Sequence, residues 1–267
     1  MTTQNDAAQT LTDVIDPARA RALQVTLGQA STIERGDALP AFFHHIYFWD
    51  PQPAEVLGPD GHPALGQFVP DLGLPRRMWA AGRLLFHGPM LAGVQADKTS
   101  MIEGVTQKQG RDGPLAFVRI RHDIKQRGAV VISEWQDLVY QEARKRPDEP
   151  RQGPAARTDE SLSEEVAFDS TTLFRYSALT FNGHRIHYDT PYARRKEGYD
   201  GLVVHGPLLA QHLMSLAERQ LGGPLTEVNY KATSPLTLPD TATLCWADGS
   251  AWVRGPDGVQ CMEATIR

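Results

Sequence analysis

Cysteine is almost missing from this 267-residue chain. The two that occur, Cys245 and Cys261, lack the Cys-x-x-Cys spacing of zinc and redox motifs. Both lie in apolar, strand-like runs, so they read as reduced core thiols. Basic blocks are missing too. Lys and Arg number 27 against 32 Asp and Glu, a formal charge of −5, which argues against nucleic acid as the main partner. Long apolar runs are also absent: no window approaches the roughly 18 residues that span a membrane. The first twenty residues contain Asp6, Asp13 and Asp16 and no apolar run, so they do not read as a signal peptide. The default expectation is a soluble, cytoplasmic protein. Hydrophobic residues make up 41% of the chain, enough for one large domain or two of about 130 residues.

Near the N-terminus, residues 1–10 are polar and read as frayed. A helix is expected from Pro17, with Asp16 as N-cap, and Gly28 ends it. The stretch from Leu39 to Trp49 is the most apolar of this half, and Pro40 near its start suits a buried helix. On such a helix His44 and His45 face different sides, which makes a shared metal site unexpected. Residues 50–77 carry Pro51, Pro53, Pro59, Pro63, Pro70 and Pro75 without periodicity. A loop this long in a compact domain is usually functional, and it ends in the adjacent cations Arg76 and Arg77. Strands follow over 82–86, 99–109, 115–124 and 130–139, with a turn at Gly110-Arg111-Asp112-Gly113-Pro114. Residues 143–165 carry almost no large apolar side chain and read as a linker.

The C-terminal half repeats this plan. Asp169-Ser170-Thr171 caps a helix carrying Leu173, Phe174, Ala178 and Phe181. A second helix runs from Gly206-Pro207 to about Leu221, with an apolar stripe through Leu209, Leu213 and Leu216. Strands are expected over 227–232, 241–247, 251–254 and 260–266. A faint echo links Phe86-His87-Gly88-Pro89-Met90 to the segment Tyr230–Leu236.

Between the two helices lies the richest chemistry, Asn182-Gly183-His184-Arg185-Ile186-His187 followed by Asp189. Three readings compete. His184, His187 and Asp189 have short spacings suited to zinc, but no cysteine or glutamate cluster accompanies them. The histidines can simply satisfy local backbone groups. Alternatively one imidazole, titrating near about 6.5 in the free state, serves as acid and base while Asn182 orients a water. Gly206 opens the following helix, where backbone N–H groups are unpaired and a substrate carbonyl oxygen can be polarised.

These residues carry a resemblance. Thr180 to His187, Tyr188-Asp189, Pro191-Tyr192-Ala193 and Val203-Val204-His205-Gly206-Pro207 resemble the MaoC-like/hydratase 2 group of hot-dog acyl-thioester hydratases. Within it, the match is to the type 2 hydroxyacyl-thioester dehydratases and the mesaconyl-CoA and itaconyl-CoA hydratases. Leu57-Gly58-Pro59-Asp60-Gly61-His62-Pro63 and Leu74-Pro75-Arg76-Arg77-Met78-Trp79 extend the resemblance over most of the chain. The group's pattern is Asp-x-Asn-Pro-x-His. Here Asn182 stands in the aspartate position, His184 in that of asparagine and Arg185 in that of proline, with His187 retained.

The resemblance implies an α+β tandem hot dog, each repeat a central helix wrapped by a curved antiparallel sheet. It places a non-catalytic N-terminal repeat over 1–145 that shapes an acyl pocket, a linker over 146–165 and the active repeat over 166–267. It implies reversible hydration of a 2-enoyl-CoA. His187 is the expected acid/base, Asn182 positions water, and the Gly206 N–H binds the thioester oxygen. His184 and His205 are expected to touch substrate, and Arg76 and Arg77 to hold the carboxylate of a branched C5 dicarboxylyl group. An amide takes no proton near neutral pH, so His187 makes both transfers. No cofactor and no metal is assigned. The small-molecule partner is an acyl-CoA, and a monomer or a homodimer of double hot dogs both fit. Alternatives are a dehydratase of fatty-acid synthesis, a non-catalytic acyl-CoA-binding hot dog and, less well supported, a thioesterase.

Overall fold

The computed structural model describes residues 5–66, 68–110, 113–142 and 153–267. Its N-terminal half is built from β1 (Asn5–Val14), α1 (Pro17–Thr26), β2 (Arg76–Phe86), β3 (Gln95–Gly110), β4 (Gly113–Gln126) and β5 (Ala129–Gln141). Alternation explains the strands. On β4, Ala116, Val118, Ile120, His122 and Ile124 are all buried, while the residues between them are less so. Helix α1 starts where Asp16 accepts the Ala18 N–H at 2.8 Å, and Gly28 follows it at φ +72°, a conformation cheap for glycine.

The second half contains β6 (Leu162–Ala167), α2 (Ser170–Thr180), α3 (Thr190–Arg195), α4 (Gly206–Leu221), β7 (Glu227–Ala232), β8 (Thr241–Ala247), β9 (Ser250–Arg254) and β10 (Gln260–Ile266). All ten strands form one sheet in the order β1-β3-β4-β5-β2-β7-β10-β9-β8-β6. That order is a mirrored repeat: β1 to β5 occupy the places that β6 to β10 occupy on the other side. The seam is the antiparallel β2–β7 pair, with Arg83 opposite Asn229. The echo between Phe86–Met90 and the segment after Tyr230 falls at matching places. Residues 87–94 join β2 to β3, and residues 233–240 join β7 to β8.

The repeats differ in one element. In the C-terminal repeat, α4 packs Leu208, Leu209, Leu213 and Leu216 against the strands that carry Leu244, Val253 and Met262. The corresponding part of the N-terminal repeat, between residues 47 and 75, has no long helix among the described residues. There Leu65, Phe68, Val69, Leu72 and Leu74 pack on Ile102, Val118, Ile120 and Leu138 instead. Loop chain covers this half of the sheet less completely than a helix does, and a cleft remains.

Several local expectations need correction. Residues 5–14 form a strand, because β1 pairs with β3 along its length. The buried helix expected over Leu39–Trp49 is only a 3-10 turn at Phe43–Ile46, bracketed by Phe42 and Phe48 at φ 71° and 60°. Its anchor is α4: the Ala41 N–H donates to Glu218 and Gln211 donates to the Ala41 carbonyl. The tight turn brings His44 and His45 together on Glu134 rather than to different sides. The turn at residues 111–112 and the linker over 146–152 lie outside the described residues. The rest of the expected linker is partly structured: Ala155 bridges to Val259, and β6 begins at Leu162 because Leu162–Ala167 pairs with β8.

Candidate active site

Helix α2 positions the polar loop. Asp169 caps its start by accepting the Thr172 N–H at 2.7 Å. Its end is set by Phe181 in the left-handed region, φ 51°, which turns the chain so that the Asn182 N–H reaches the Ser177 carbonyl. The Asn182 Oδ1 then accepts the His184 N–H at 3.0 Å. That Asx turn spends one face of the amide on the loop and leaves its NH2 without a partner among the described residues. A single 3-10 turn, Arg185–His187, delivers His187 into the interior.

His187 is buried, and its Nδ1–H donates to the Val203 carbonyl at 2.7 Å. This bond fixes the tautomer, so Nε2 carries a lone pair, and no described residue occupies it. Burial pushes the imidazole pKa down to about 4, only partly opposed by the Val203 bond. At neutral pH the ring is therefore an uncharged base. His205 stacks on it with ring centres 3.6 Å apart and planes 18° from parallel, and its Nε2 shares a 2.8 Å hydrogen bond with Ser177. His184 meets His187 edge-on at 5.5 Å, and burial pushes its pKa down to about 3.

A fourth imidazole continues the chain. His62 lies 4.7 Å from His184, ring to ring, and also lines the cleft. Its loop is docked directly on the histidine loop. The Arg185 N–H donates to the Asp60 carbonyl, the Arg185 guanidinium to the Pro59 carbonyl, and Gly61 at φ +88° sits against the Gly183 carbonyl. His62 was assigned no role from sequence, although Asp60-Gly61-His62 was part of the resemblance. Nothing local to residue 62 reveals that residues 183–185 are its neighbours.

The remaining expected residues separate. Gly206 opens α4, and the Leu208 and Leu209 N–H groups both return to the His205 carbonyl. The Gly206 N–H stays unpaired among the described residues, as helix starts leave it. A side chain at Gly206 would meet the Trp79 ring at 2.8 Å, so glycine is needed here for the indole as well. Arg76 is already engaged: it donates to Glu197 at 2.8 Å and to the Tyr199 hydroxyl at 2.9 Å. Arg77 has no side-chain partner among the described residues and lines the cleft. Asp189 does not converge with the histidines. It pairs with Arg185 and caps α3 through the Tyr192 N–H.

The cleft measures about 1160 Å³. Its walls come from loop 58–75, from β3, β4 and β5, and from α3. His184 and His187 stand behind the His62 end of this wall. The trio His44, His45 and Glu134 has ligand atoms within 4.8 Å of one another, yet Glu134 accepts hydrogen bonds from both imidazoles, Gln136 and Tyr230. That makes it a satisfied buried carboxylate: burial pushes its pKa up, but the neighbouring His45 and His44 rings and the bonds they make outweigh this and hold it well below the ordinary range.

Residues 42–238 match the family model for hydroxyacyl-thioester dehydratase type 2. The chain belongs to this family. A mesaconyl-C(4)-CoA hydratase of Chloroflexus aurantiacus is 40% identical over 95% of this chain and 92% of its own. A mitochondrial hydroxyacyl-thioester dehydratase type 2 of Schizosaccharomyces pombe is 24% identical over 79% of each chain. Among solved structures, HtdX of Mycobacterium tuberculosis aligns at TM-score 0.67 and 19% identity, covering 97% of this chain and 99% of its own. A second M. tuberculosis protein, described as a double hot dog, aligns at TM-score 0.60 and 12% identity over 100% of this chain and 94% of its own. The fold of this family member is thus an α+β double hot dog. Its relatives are hydro-lyases, hydratases and dehydratases alike.

Proposed function

We propose that the protein hydrates a 2-enoyl-CoA reversibly to a 3-hydroxyacyl-CoA, and that the acyl group is a branched C5 dicarboxylyl group such as mesaconyl, giving citramalyl-CoA. The observation that carries the chemistry is the buried, neutral His187 with Nδ1 fixed on Val203 and Nε2 free. The substrate class follows the 40% identical mesaconyl-C(4)-CoA hydratase.

In this reading Nε2 takes a proton from water while the water oxygen bonds to the β-carbon. The electron pair of the double bond moves toward the thioester, whose oxygen accepts from the Gly206 N–H as charge develops. The same Nε2–H then protonates the α-carbon, so one imidazole serves both transfers and is regenerated. Asn182 offers its free NH2 to the water; its Oδ1 is committed to the loop. His205 and His184 support His187 on either side and exclude bulk water from it. The N-terminal repeat contributes the acyl pocket through β3 to β5 and carries no acid/base of its own. Arg77 remains available to a substrate anion, whereas Arg76 acts through its pair with Glu197.

The test is the ultraviolet band of the enoyl thioester, followed with mesaconyl-C(4)-CoA and crotonyl-CoA in parallel. Loss of absorbance with the mesaconyl ester supports the reading; loss with crotonyl-CoA alone moves the protein to the fatty-acid dehydratases. His187→Ala is expected to lower turnover about 100-fold or more. A variant that keeps a tenth of the activity removes His187 from the acid/base role.

A further inference from the structure

The middle of the cleft is apolar, walled by Leu65, Phe68, Val69, Leu74 and Ile120. One end is not. There Lys98, Ser100, His122 and Gln136 line the same space. Their side chains share the inner face of the N-terminal sheet, where α4 has no counterpart and the chain leaves room.

Lys98 is the unusual member. Its ammonium makes no hydrogen bond and no ion pair with any described residue; its recorded contact is the Phe48 ring, 5.4 Å away. Two carboxylates act on it electrostatically, Glu134 and Asp50, but both are engaged elsewhere. Glu134 accepts from His44, His45, Gln136 and Tyr230. Asp50 accepts from Gln9 and Gln52. Beside it, Ser100 and His122 share a 2.7 Å hydrogen bond, and His122 is neutral because burial pushes its pKa down to about 3. An ammonium half-buried on an otherwise enclosed wall, without a hydrogen-bonded partner among the described residues, loses part of its hydration uncompensated. A pocket meant only for a hydrocarbon chain gains nothing from it.

We propose that Lys98, with Ser100, is an anion subsite that holds a carboxylate at the far end of the acyl group. The ammonium brings unfilled donors, and the serine hydroxyl adds one more when the His122 Nδ1–H is the donor of their shared bond. A carboxylate placed there completes them with charge-assisted bonds. A long fatty chain, by contrast, has to strip water from Lys98 and returns nothing. The subsite therefore selects dicarboxylyl thioesters over fatty acyl thioesters. It rests on reading the cleft as an acyl-CoA site, and it is separate from Arg77, which lies nearer Asp60, His62 and His184.

The experiment measures binding, so it does not depend on turnover. Calorimetry compares two saturated pairs, each differing by a carboxylate in place of a methyl: methylsuccinyl-CoA with isovaleryl-CoA, and adipyl-CoA with hexanoyl-CoA. The wild-type protein is expected to bind the carboxylate ester of at least one pair about tenfold or more tightly. Lys98→Met is expected to abolish that preference, and Lys98→Arg, which keeps the charge, to retain most of it. Circular dichroism and the melting temperature establish that each variant is folded. The inference is overturned if wild type shows no preference, if the preference survives in Lys98→Met, or if it disappears in Arg77→Met instead. Wild-type protein that binds with the Lys98-dependent preference yet hydrates no enoyl-CoA sinks the proposed activity and leaves the subsite standing.

Discussion

At the scale of single residues, the site depends on which protons a histidine keeps. His187 keeps its Nδ1 proton because the N–H donates to the Val203 carbonyl, so its basic nitrogen is Nε2. The sign of the pH dependence follows. The active form is the neutral ring, whose folded pKa is depressed to about 4. Activity is expected to hold from neutral pH down through 6 and to fall only as pH approaches 4, well below the roughly 6.5 of a free imidazole. An acid limb of kcat/KM centred near 6.5 counts against His187 as the base. Asn182 works differently. Its amide binds the loop backbone, so Asn182→Ala is expected to weaken the turn that places His184 as well as water positioning. Asn182→Asp keeps an oxygen for the His184 N–H and is the gentler probe.

At the scale of elements, two loops from different repeats meet glycine to glycine. Gly61 has φ +88°, and a Cβ there would stand 2.1 Å from the Gly183 carbonyl oxygen. That atom is backbone and cannot swing aside. Gly61→Ala is expected to displace loop 58–62 from the histidine loop and take His62 off His184. Activity should fall at least tenfold while the melting temperature moves by a few degrees at most, since loop contacts rather than sheet are lost. A fully active Gly61→Ala protein argues that the His62 loop is not part of the site. Gly206→Ala intrudes less deeply, but its methyl meets the Trp79 ring, which is held by stacking on Tyr230 with ring centres 4.5 Å apart.

At the scale of the whole molecule, the seam and the buried imidazoles dominate. Gly82 on β2 faces Tyr230 across the seam, and a Cβ would fall within 2.5 Å of the Trp135 carbonyl oxygen as well as on the tyrosine ring. Gly82→Ala is expected to cost about 1–3 kcal/mol of stability by overpacking, read as an earlier denaturant midpoint; an unchanged midpoint refutes the seam's tight packing. Acid should also unfold the protein early. His122 and His184 are depressed to about 3, and His187 and His212 to about 4. Unfolded, each titrates near about 6.5. Between these values the unfolded chain binds more protons, so stability rises with pH and is lost as pH falls below 6.5. Each group contributes at most about 1.4 kcal/mol per pH unit. Melting temperatures recorded from pH 7.5 to 4.5 are expected to be flat above about pH 7 and to fall steeply below 6. No helix among the described residues is long and apolar enough to cross a membrane.

Much of this was legible in the sequence because it is local. The stripe of α4, the cap of α2 by Asp169, the strands β7, β8 and β10 and the loop from Asn182 to His187 each carry their signal within a few residues. The resemblance of that loop to hydratase motifs pointed to the family. Other features needed the fold. β1 is polar, and only its pairing with β3 makes it a strand. The apolar Leu39–Trp49 segment is no helix, because its backbone bonds to α4 and its phenylalanines adopt left-handed turns. Which arginine is free depends on Glu197, about 120 residues away in sequence. His62 joins His184 only when a loop of one repeat docks on the other, and Lys98 has no hydrogen-bonded partner among the described residues because the carboxylates near it are taken by other groups, among them His44, His45 and Tyr230 on Glu134 and Gln9 on Asp50. Sequence singled out His187 and pointed to the family; tertiary structure decided the neutral, single-tautomer state of that histidine and the company it keeps, since burial and long-range hydrogen bonds have no signature in spacing.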